Sequence, residues 1–318
     1  MHCLYSLFFW IALGLVCFRI YLKLMTGWCR SQVCLVGKTA LVTGANTGIG
    51  YETALDFAKR GATVILACRD ESKARKARDN IIEETNNKNV SYGLVDFLDL
   101  ACVRKFADEF NSTHTRLDIL VNNAAAVRLR GVTTDGYLAA VQVNYLGPFL
   151  LTMLLLNLIV KTPSARIVNV SSSAPNYSNP LDMDLMFDGP DRTKAYYRSK
   201  FGNILFTIEL ASRLANTTVT VYSLHPGVVD TDIFRRLPPS WKFVMDYIVR
   251  WFMKTSLEGA QTTIYCALQK GIESYSGEHF EDCHFVSRYA PVAKSVDQGT
   301  HKLLWDKSVK LLGLDVTI

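Results

Sequence analysis

From Gly37 onward, short apolar runs alternate with stretches whose apolar positions recur every three or four residues. The runs at 38–44, 62–68, 117–124, 165–172 and 219–227 read as buried strands. Between them, 48–60, 70–86, 101–111, 134–160 and 195–215 read as helices. Strict alternation implies parallel strands joined by right-handed crossovers. The expected fold class is therefore α/β, a single doubly wound parallel sheet of Rossmann type with helices on both faces. No repeat or low-complexity stretch divides the region, so residues 37–318 are expected to form one domain. Open parallel sheets bind ligands at the carboxyl ends of their strands, which places the chemistry just after residues 43, 68, 96, 122, 171 and 225.

The first residues follow another pattern. "LYSLFFWIALGLVCF", Leu4 to Phe18, is an apolar run, and no Asp, Glu, Lys or Arg precedes Arg19. Eighteen helical residues span roughly 27 Å, close to the hydrocarbon thickness, and Lys23 can snorkel if the helix continues to Met25. A cleaved signal peptide is the competing reading. It lacks a cationic start and a small-residue cleavage site, which favours an uncleaved membrane anchor over residues 1–25, followed by a linker over 26–36. Arg19, Lys23 and Arg30 all follow the apolar run, so the rest of the chain is expected in the cytosol.

Composition adds exclusions. With 318 residues, 49% hydrophobic and 20% charged, the chain can bury a large core without covalent staples. A net charge of +6 without a run of five Lys or Arg argues against a nucleic-acid groove and leaves a membrane surface as the expected partner of the cations. The eight cysteines show no metal-ligand spacing and read as free thiols in a reducing compartment. Asn111, Asn176 and Asn216 head Asn-x-Ser/Thr triplets, which matter only in a lumenal protein.

Candidate chemistry clusters at the predicted strand ends. "TGANTGIG" follows the first strand and opens the first helix, with Gly44, Gly48 and Gly50 around Asn46, Thr47 and Ile49. Glycines there permit a tight turn and let a diphosphate approach the backbone and the helix N-terminus. The second strand ends "LACRD", where Arg69 can bond a 2′-phosphate and no acid occurs until Asp70, favouring NADP(H) over NAD(H). Asp96 and the pair Asn122 and Asn123 are small polar residues at later strand ends, placed to bond the adenine or to fix loops. Tyr196 and Lys200 lie four apart on one helix face, and a nearby ammonium can stabilise a phenolate. His225 precedes the Pro226-Gly227 turn and reads as structural.

The order of glycine loop, "NVSSS" at a strand end and YxxxK on the next long helix resembles the classical short-chain dehydrogenase/reductase family. That resemblance implies a catalytic set of Asn144, Ser172, Tyr196 and Lys200, with Ser171 and Tyr197 as neighbouring alternatives. It further implies that Ser172 binds substrate, that Tyr196 and Lys200 also meet the cofactor, that Asn144 positions a water, and that Thr231 bonds the nicotinamide carboxamide. Ala125 departs from the family's Asn-Asn-Ala-Gly. "LACRD", "SKFGNILFTIEL", "KTSLEGAQTTIYCAL" and "SGEHFEDCHF" extend the resemblance to the microsomal retinol dehydrogenase branch. Tyr145 and Pro148 stand where that branch has histidines.

What this implies is an NADP(H)-dependent oxidoreductase in the endoplasmic reticulum membrane, interconverting a small lipophilic alcohol and its aldehyde or ketone, with reduction favoured in cells. Retinoids, sterols and fatty aldehydes fit that substrate class. Membrane lipid is the other expected partner, and a homodimer is held open. The family's substrate lid falls around 232–256, where "PSWKFVMDYIVRWFMK" reads either as a pocket or interface helix or as a core helix. The rival class is a dinucleotide-binding membrane adaptor without turnover, against which the four catalytic residue types argue, since a binder needs no proton donor.

Overall fold

Neighbouring residues of each central strand are buried on opposite sides of one sheet, so apolar runs become a middle layer between two cores. This is seen in a computed structural model that describes residues 2–127, 129–172, 187, 192–230, 250–286 and 299–315. In chain order the elements begin with α1 (His2–Leu24), β1 (Thr39–Thr43), α2 (Gly48–Lys59), β2 (Thr63–Cys68), α3 (Glu71–Thr85), β3 (Val90–Leu94), α4 (Leu100–Thr113) and β4 (Ile119–Asn122). They continue with α5 (Ala139–Lys161), β5 (Arg166–Val170), α6 (Arg192–Arg213), β6 (Thr220–His225), α7 (Arg250–Phe252), α8 (Ser256–Leu268), β7 (His279–Glu281), β8 (His284–Phe285) and α9 (Thr300–Leu311).

The strand order is β3-β2-β1-β4-β5-β6-β7-β8. Leu41, Ile65, Leu120, Ile167 and Val221 face a core shared with α4, α5, α6 and α9. Val42, Leu66, Val121, Val168 and Leu224 face a second core shared with α2, α3 and α8. The sheet runs outward in both directions from β1 and β4, which makes their carboxyl ends the topological switch point. The expected doubly wound α/β fold is the fold observed.

Three local features differ from the expected pattern. The helix expected from 134 starts at Ala139, because Gly136 takes φ +88° in a turn closed by a Val132–Leu138 bridge. Within α5, residues Gln142–Leu146 form a π turn. The sheet is also not wholly parallel: β7 and β8 pair antiparallel as an edge hairpin, turned by Asp282 at φ 50° and Cys283 at φ 60°. With no glycine at that turn, the sequence carries little signal for it.

Residues 26–36, expected as a linker, pack along the domain as a strap. Gly27 N–H donates to Asp282 Oδ1 at 3.2 Å, Ser31 Oγ to the Leu268 carbonyl at 3.2 Å, and Leu35 is buried. Tyr145 and Pro148 are core residues, and the Tyr145 hydroxyl sits 2.9 Å from Ser308 Oγ on α9. Their departure from histidine therefore concerns packing between α5 and α9. The cysteines among the described side chains are free.

Candidate active site

The glycine loop is shaped first by its own backbone. Gly48 takes φ +62° at the first position of α2, a left-handed conformation that side chains resist. Gly50 lies within α2, where a Cβ would meet the Gly44 carbonyl oxygen and Asn123 Nδ2, each at 2.5 Å. Glycine at 50 thus lets α2 start directly over the end of β1, with its first N–H groups at the cleft.

Thr43 and Asn123 hold this corner together. The main-chain N–H groups of Asn123 and Ala124 both donate to Thr43 Oγ1 at 2.9 Å, and Asn123 Nδ2 donates to the Thr43 carbonyl at 2.8 Å. Asn123 therefore fixes loops. Thr43 was not singled out in the sequence; a buried hydroxyl at the last position of a central strand is the signal that marks it. Ala125 is not among the residues with positive φ, so this backbone accommodates a methyl where the family has glycine.

One open cleft along the carboxyl ends of the strands is bordered by Gly44, Asn46, Thr47, Gly48, Ile49, Arg69, Asp96, Asn123, Ala125, Tyr196 and Lys200. At one end, Arg69 is exposed while Asp70 turns away to cap α3, accepting from Lys73 N–H at 3.1 Å and from Ser72 Oγ at 2.8 Å. The hydrogen bond from the Lys73 backbone, with that from Ser72, holds the Asp70 carboxyl below its ordinary range. The carboxylate is engaged at the helix, and the guanidinium is left to face the cleft. Asp96 Oδ1 accepts from Leu98 N–H at 2.9 Å, closing the turn after β3.

At the other end, α6 presents Tyr196 and Lys200. Lys200 is 2% exposed, and its Nζ donates to the Val170 carbonyl at 2.7 Å. Burial lowers its pKa to about 8. Burial raises the pKa of the Tyr196 phenol, and a hydrogen bond with Ser172 draws it partly back. Desolvation is the larger of these two influences on the phenol. Ser171 borders the cleft too, but its buried hydroxyl donates to the Lys200 carbonyl at 2.6 Å. Tyr197 packs its ring edge-on against Tyr196, with centroids 5.8 Å apart, and does not border the cleft. The geometry thus brings Ser172 and Tyr196 together, with Lys200 one helical turn on. Thr231 and residues 232–249 of the expected lid lie outside the described residues.

Asn144 sits in the π turn of α5, fully engaged. Its Oδ1 accepts from Ala126 N–H at 2.7 Å, and its Nδ2 donates to the Ala126 carbonyl at 2.9 Å and to Ser199 Oγ at 3.2 Å. Its own carbonyl accepts from Asn203 Nδ2 at 3.1 Å. The side chain thus ties the loop after β4 to the catalytic helix, a use the sequence reading missed. Asn203, seven residues after Tyr196 and on the same helix face, was the available signal.

This layout has known counterparts. Residues 38–240 match the short chain dehydrogenase family. The chain belongs to that family. It is 42% identical to retinol dehydrogenase 11 of Mus musculus, over 96% of this chain and 95% of that protein. It is also 42% identical to retinol dehydrogenase 12 of Homo sapiens, over 91% and 90%. A third relative, dehydrogenase/reductase SDR family member 13 of Bos taurus, is 42% identical over 90% of this chain and 76% of that protein. Among solved structures, a Mycobacterium paratuberculosis protein superposes with a TM-score of 0.69 at 28% identity, covering 92% of this chain and all of that one. A short-chain dehydrogenase from Escherichia coli complexed with NADPH gives 0.61 at 26% identity, over 78% and 97%. As a short-chain dehydrogenase the chain is an oxidoreductase that uses a nicotinamide dinucleotide, and the glycine turn, the α2 N-terminus and the open cleft fit such a group.

Proposed function

We propose that this short-chain dehydrogenase is an NADP(H)-dependent reductase of lipophilic aldehydes or ketones, retinal-like in size and polarity, held at the endoplasmic reticulum membrane by residues 1–25 with residues 37–318 in the cytosol. The names of its relatives support a retinoid-like alcohol and carbonyl pair. Arg69 in the cleft beside a carboxylate already committed to a helix cap supports NADP(H).

When bound, the nicotinamide supplies or accepts the hydride. The chain's own residues handle the oxygen. Ser172 and Tyr196 donate hydrogen bonds to the substrate oxygen as negative charge grows there, and Tyr196 then passes its proton to that oxygen. The single observation that carries the reading is geometric: Tyr196, hydrogen-bonded with Ser172, and Lys200 one helical turn on border the same cleft as the glycine loop. Lys200 binds the ribose hydroxyls and keeps a cation near the phenol below about pH 8. Asn144, locked between Ala126 and Ser199, keeps the π turn and α6 in register, and its main-chain carbonyl, with a second lone pair besides the one Asn203 uses, positions the water that returns a proton from solvent.

The test is reduction of all-trans-retinal and an aliphatic aldehyde panel by the full chain, with NADPH and NADH in parallel. Tyr196→Phe is expected to lower kcat by about 10²–10⁴-fold with cofactor binding retained. Arg69→Ala is expected to raise KM for NADPH about 10–100-fold and leave KM for NADH nearly unchanged, the worth of one or two charge-assisted bonds. Cofactor binding by wild type without turnover on any carbonyl would leave the adaptor reading instead.

A further inference from the structure

α1 does not leave the domain on a free tether. Lys23 Nζ contacts both carboxylate oxygens of Glu258, at 2.5 and 2.7 Å, and Glu258 is itself pinned in the capping box that opens α8. Below this clamp, the Phe18 ring packs on Phe252 at 5.7 Å, and the Arg19 guanidinium lies over the Trp251 ring at 4.7 Å. Trp251 and Phe252 pack edge-on at 4.9 Å, and Trp251 remains 38% exposed. The strap continues the attachment at Gly27, where a Cβ would fall 1.9 Å from the Asp282 carbonyl oxygen.

Length converts these contacts into a depth. The 23 residues of α1 measure about 34 Å at 1.5 Å per residue, little more than a hydrocarbon core of about 30 Å. Phe18 stands about 24 Å from the first helical residue on the same scale, inside that thickness. If α1 spans the bilayer, a domain side chain that touches Phe18 is at the acyl boundary as well.

We propose that Trp251 and Phe252, together with Phe18 and Arg19, form a second membrane contact: an aromatic collar seated at the acyl–headgroup boundary of a phospholipid leaflet, fixing the domain against the bilayer. The proposal rests on the reading of α1 as a membrane anchor. Tryptophan suits this depth, with an apolar ring and one polar N–H, and the arginine stacked on it keeps its charge toward the headgroups. Among the described residues, the other cations of this corner are paired within the protein, Lys23 with Glu258, Arg250 with Asp230 at 3.1 Å and Lys254 with Asp282 at 2.5 Å. The collar therefore reads the interface by its rings and does not require anionic lipid. It also stands close to the cleft: Lys254 bridges Val229 and bonds the carbonyl of Pro226, which borders the cofactor cleft, so a lipophilic substrate has a short path from leaflet to site.

The experiment uses the full chain in phosphatidylcholine nanodiscs, with the photoreactive amino acid p-benzoylphenylalanine replacing Trp251. The control position is Leu94, exposed on the far edge strand β3. Irradiation is expected to give a lipid adduct at 251 at least tenfold above that at 94, changed less than twofold by adding phosphatidylserine. Lys23→Glu should cut the adduct several-fold, and the swap Lys23→Glu with Glu258→Lys should restore it. A chain that resists alkaline carbonate extraction from membranes yet gives equal adducts at 251 and 94 overturns the collar alone. Extraction by carbonate overturns the anchor, and the collar with it.

Discussion

Two helices among the described residues are long and apolar enough to cross a membrane, and they do opposite things. Between Tyr5 and Leu24 no residue of α1 is buried, whereas most of α5, Ala139–Lys161, is inside the domain. The difference lies in the polar residues each carries. In α5, Gln142 bonds the Phe97 carbonyl and Asp135, Asn144 bonds Ala126 and Ser199, and Thr152 accepts from Asn122 Nδ2 at 2.9 Å. Each polar group is placed to meet a partner from another element, which is what a protein interior demands and a bilayer does not. α1 keeps its charges at its end, Arg19 and Lys23. Hydropathy alone therefore does not separate an anchor from a core helix; the fate of the polar minority does.

The strongest way to break this comparison is to make one substitution in both helices. Leu150→Arg places an unpaired charge at a site with no solvent exposure and is expected to abolish folding, read as loss of a cooperative thermal transition in detergent. Leu13→Arg, at a residue 40% exposed and midway along α1, is expected to leave that transition within about 1 °C. Its cost of about 3–4 kcal/mol falls on insertion, as loss of carbonate-resistant membrane association. A folding defect from Leu13→Arg equal to that from Leu150→Arg would mean that α1 belongs to the core.

The same contrast explains how much was readable from the sequence. The glycine loop, the alternating strands and helices, and the Tyr196–Lys200 spacing are local patterns, and each was legible in its own segment. So was Arg69, because its strand end is fixed by a short βα unit. The π turn of α5 was not, because it answers to partners on other elements, Asn203 and Ser199 of α6 and the loop at Ala126. The β7–β8 hairpin escaped because its turn places Asp282 and Cys283 at positive φ without glycine. The strap escaped because its grip uses backbone groups, such as Gly27 N–H and the Ser31 carbonyl, that leave no mark on residue type. The direction of the Lys200 ammonium was hidden for a related reason. A sequence shows that a lysine is one turn away, but it does not show that the ammonium is aimed at the Val170 carbonyl.

A smaller test compares glycines. Gly14 of α1 has nothing within 4 Å of where a Cβ would stand, whereas at Gly147 in α5 a Cβ would come 2.5 Å from Phe97 Cδ1. Gly147→Ala is expected to destabilise the fold by about 1–3 kcal/mol through overpacking. Gly14→Ala should be neutral in the folding transition and firm the helix slightly. Equal and small effects would show that the α5 contact relaxes without cost, and would weaken the claim that this helix is held by close packing at its first α turn.

The smallest effect concerns where each region keeps its cations. Lys23 lies at a helix end, partly exposed and paired with Glu258, so Lys23→Met should cost no more than about 1 kcal/mol. Lys200 is buried, with the Val170 carbonyl as its partner among the described residues, and a pKa of about 8 against an ordinary value of 10.5 corresponds to a penalty of about 3 kcal/mol on its charged form. The folded state loses that proton first as pH rises. The penalty is therefore full below about pH 8 and disappears between there and 10.5, so wild-type stability gains with pH across that window. Lys200→Met removes the penalty together with one hydrogen bond worth about 1 kcal/mol. The variant should be inactive, more stable than wild type by about 2 kcal/mol at pH 7, and lose that advantage by pH 10. Denaturant midpoints at the two pH values decide the matter. A variant less stable than wild type by the same margin at both would mean that Lys200 is held as a structural cation, and its burial would no longer read as strain kept for the reaction.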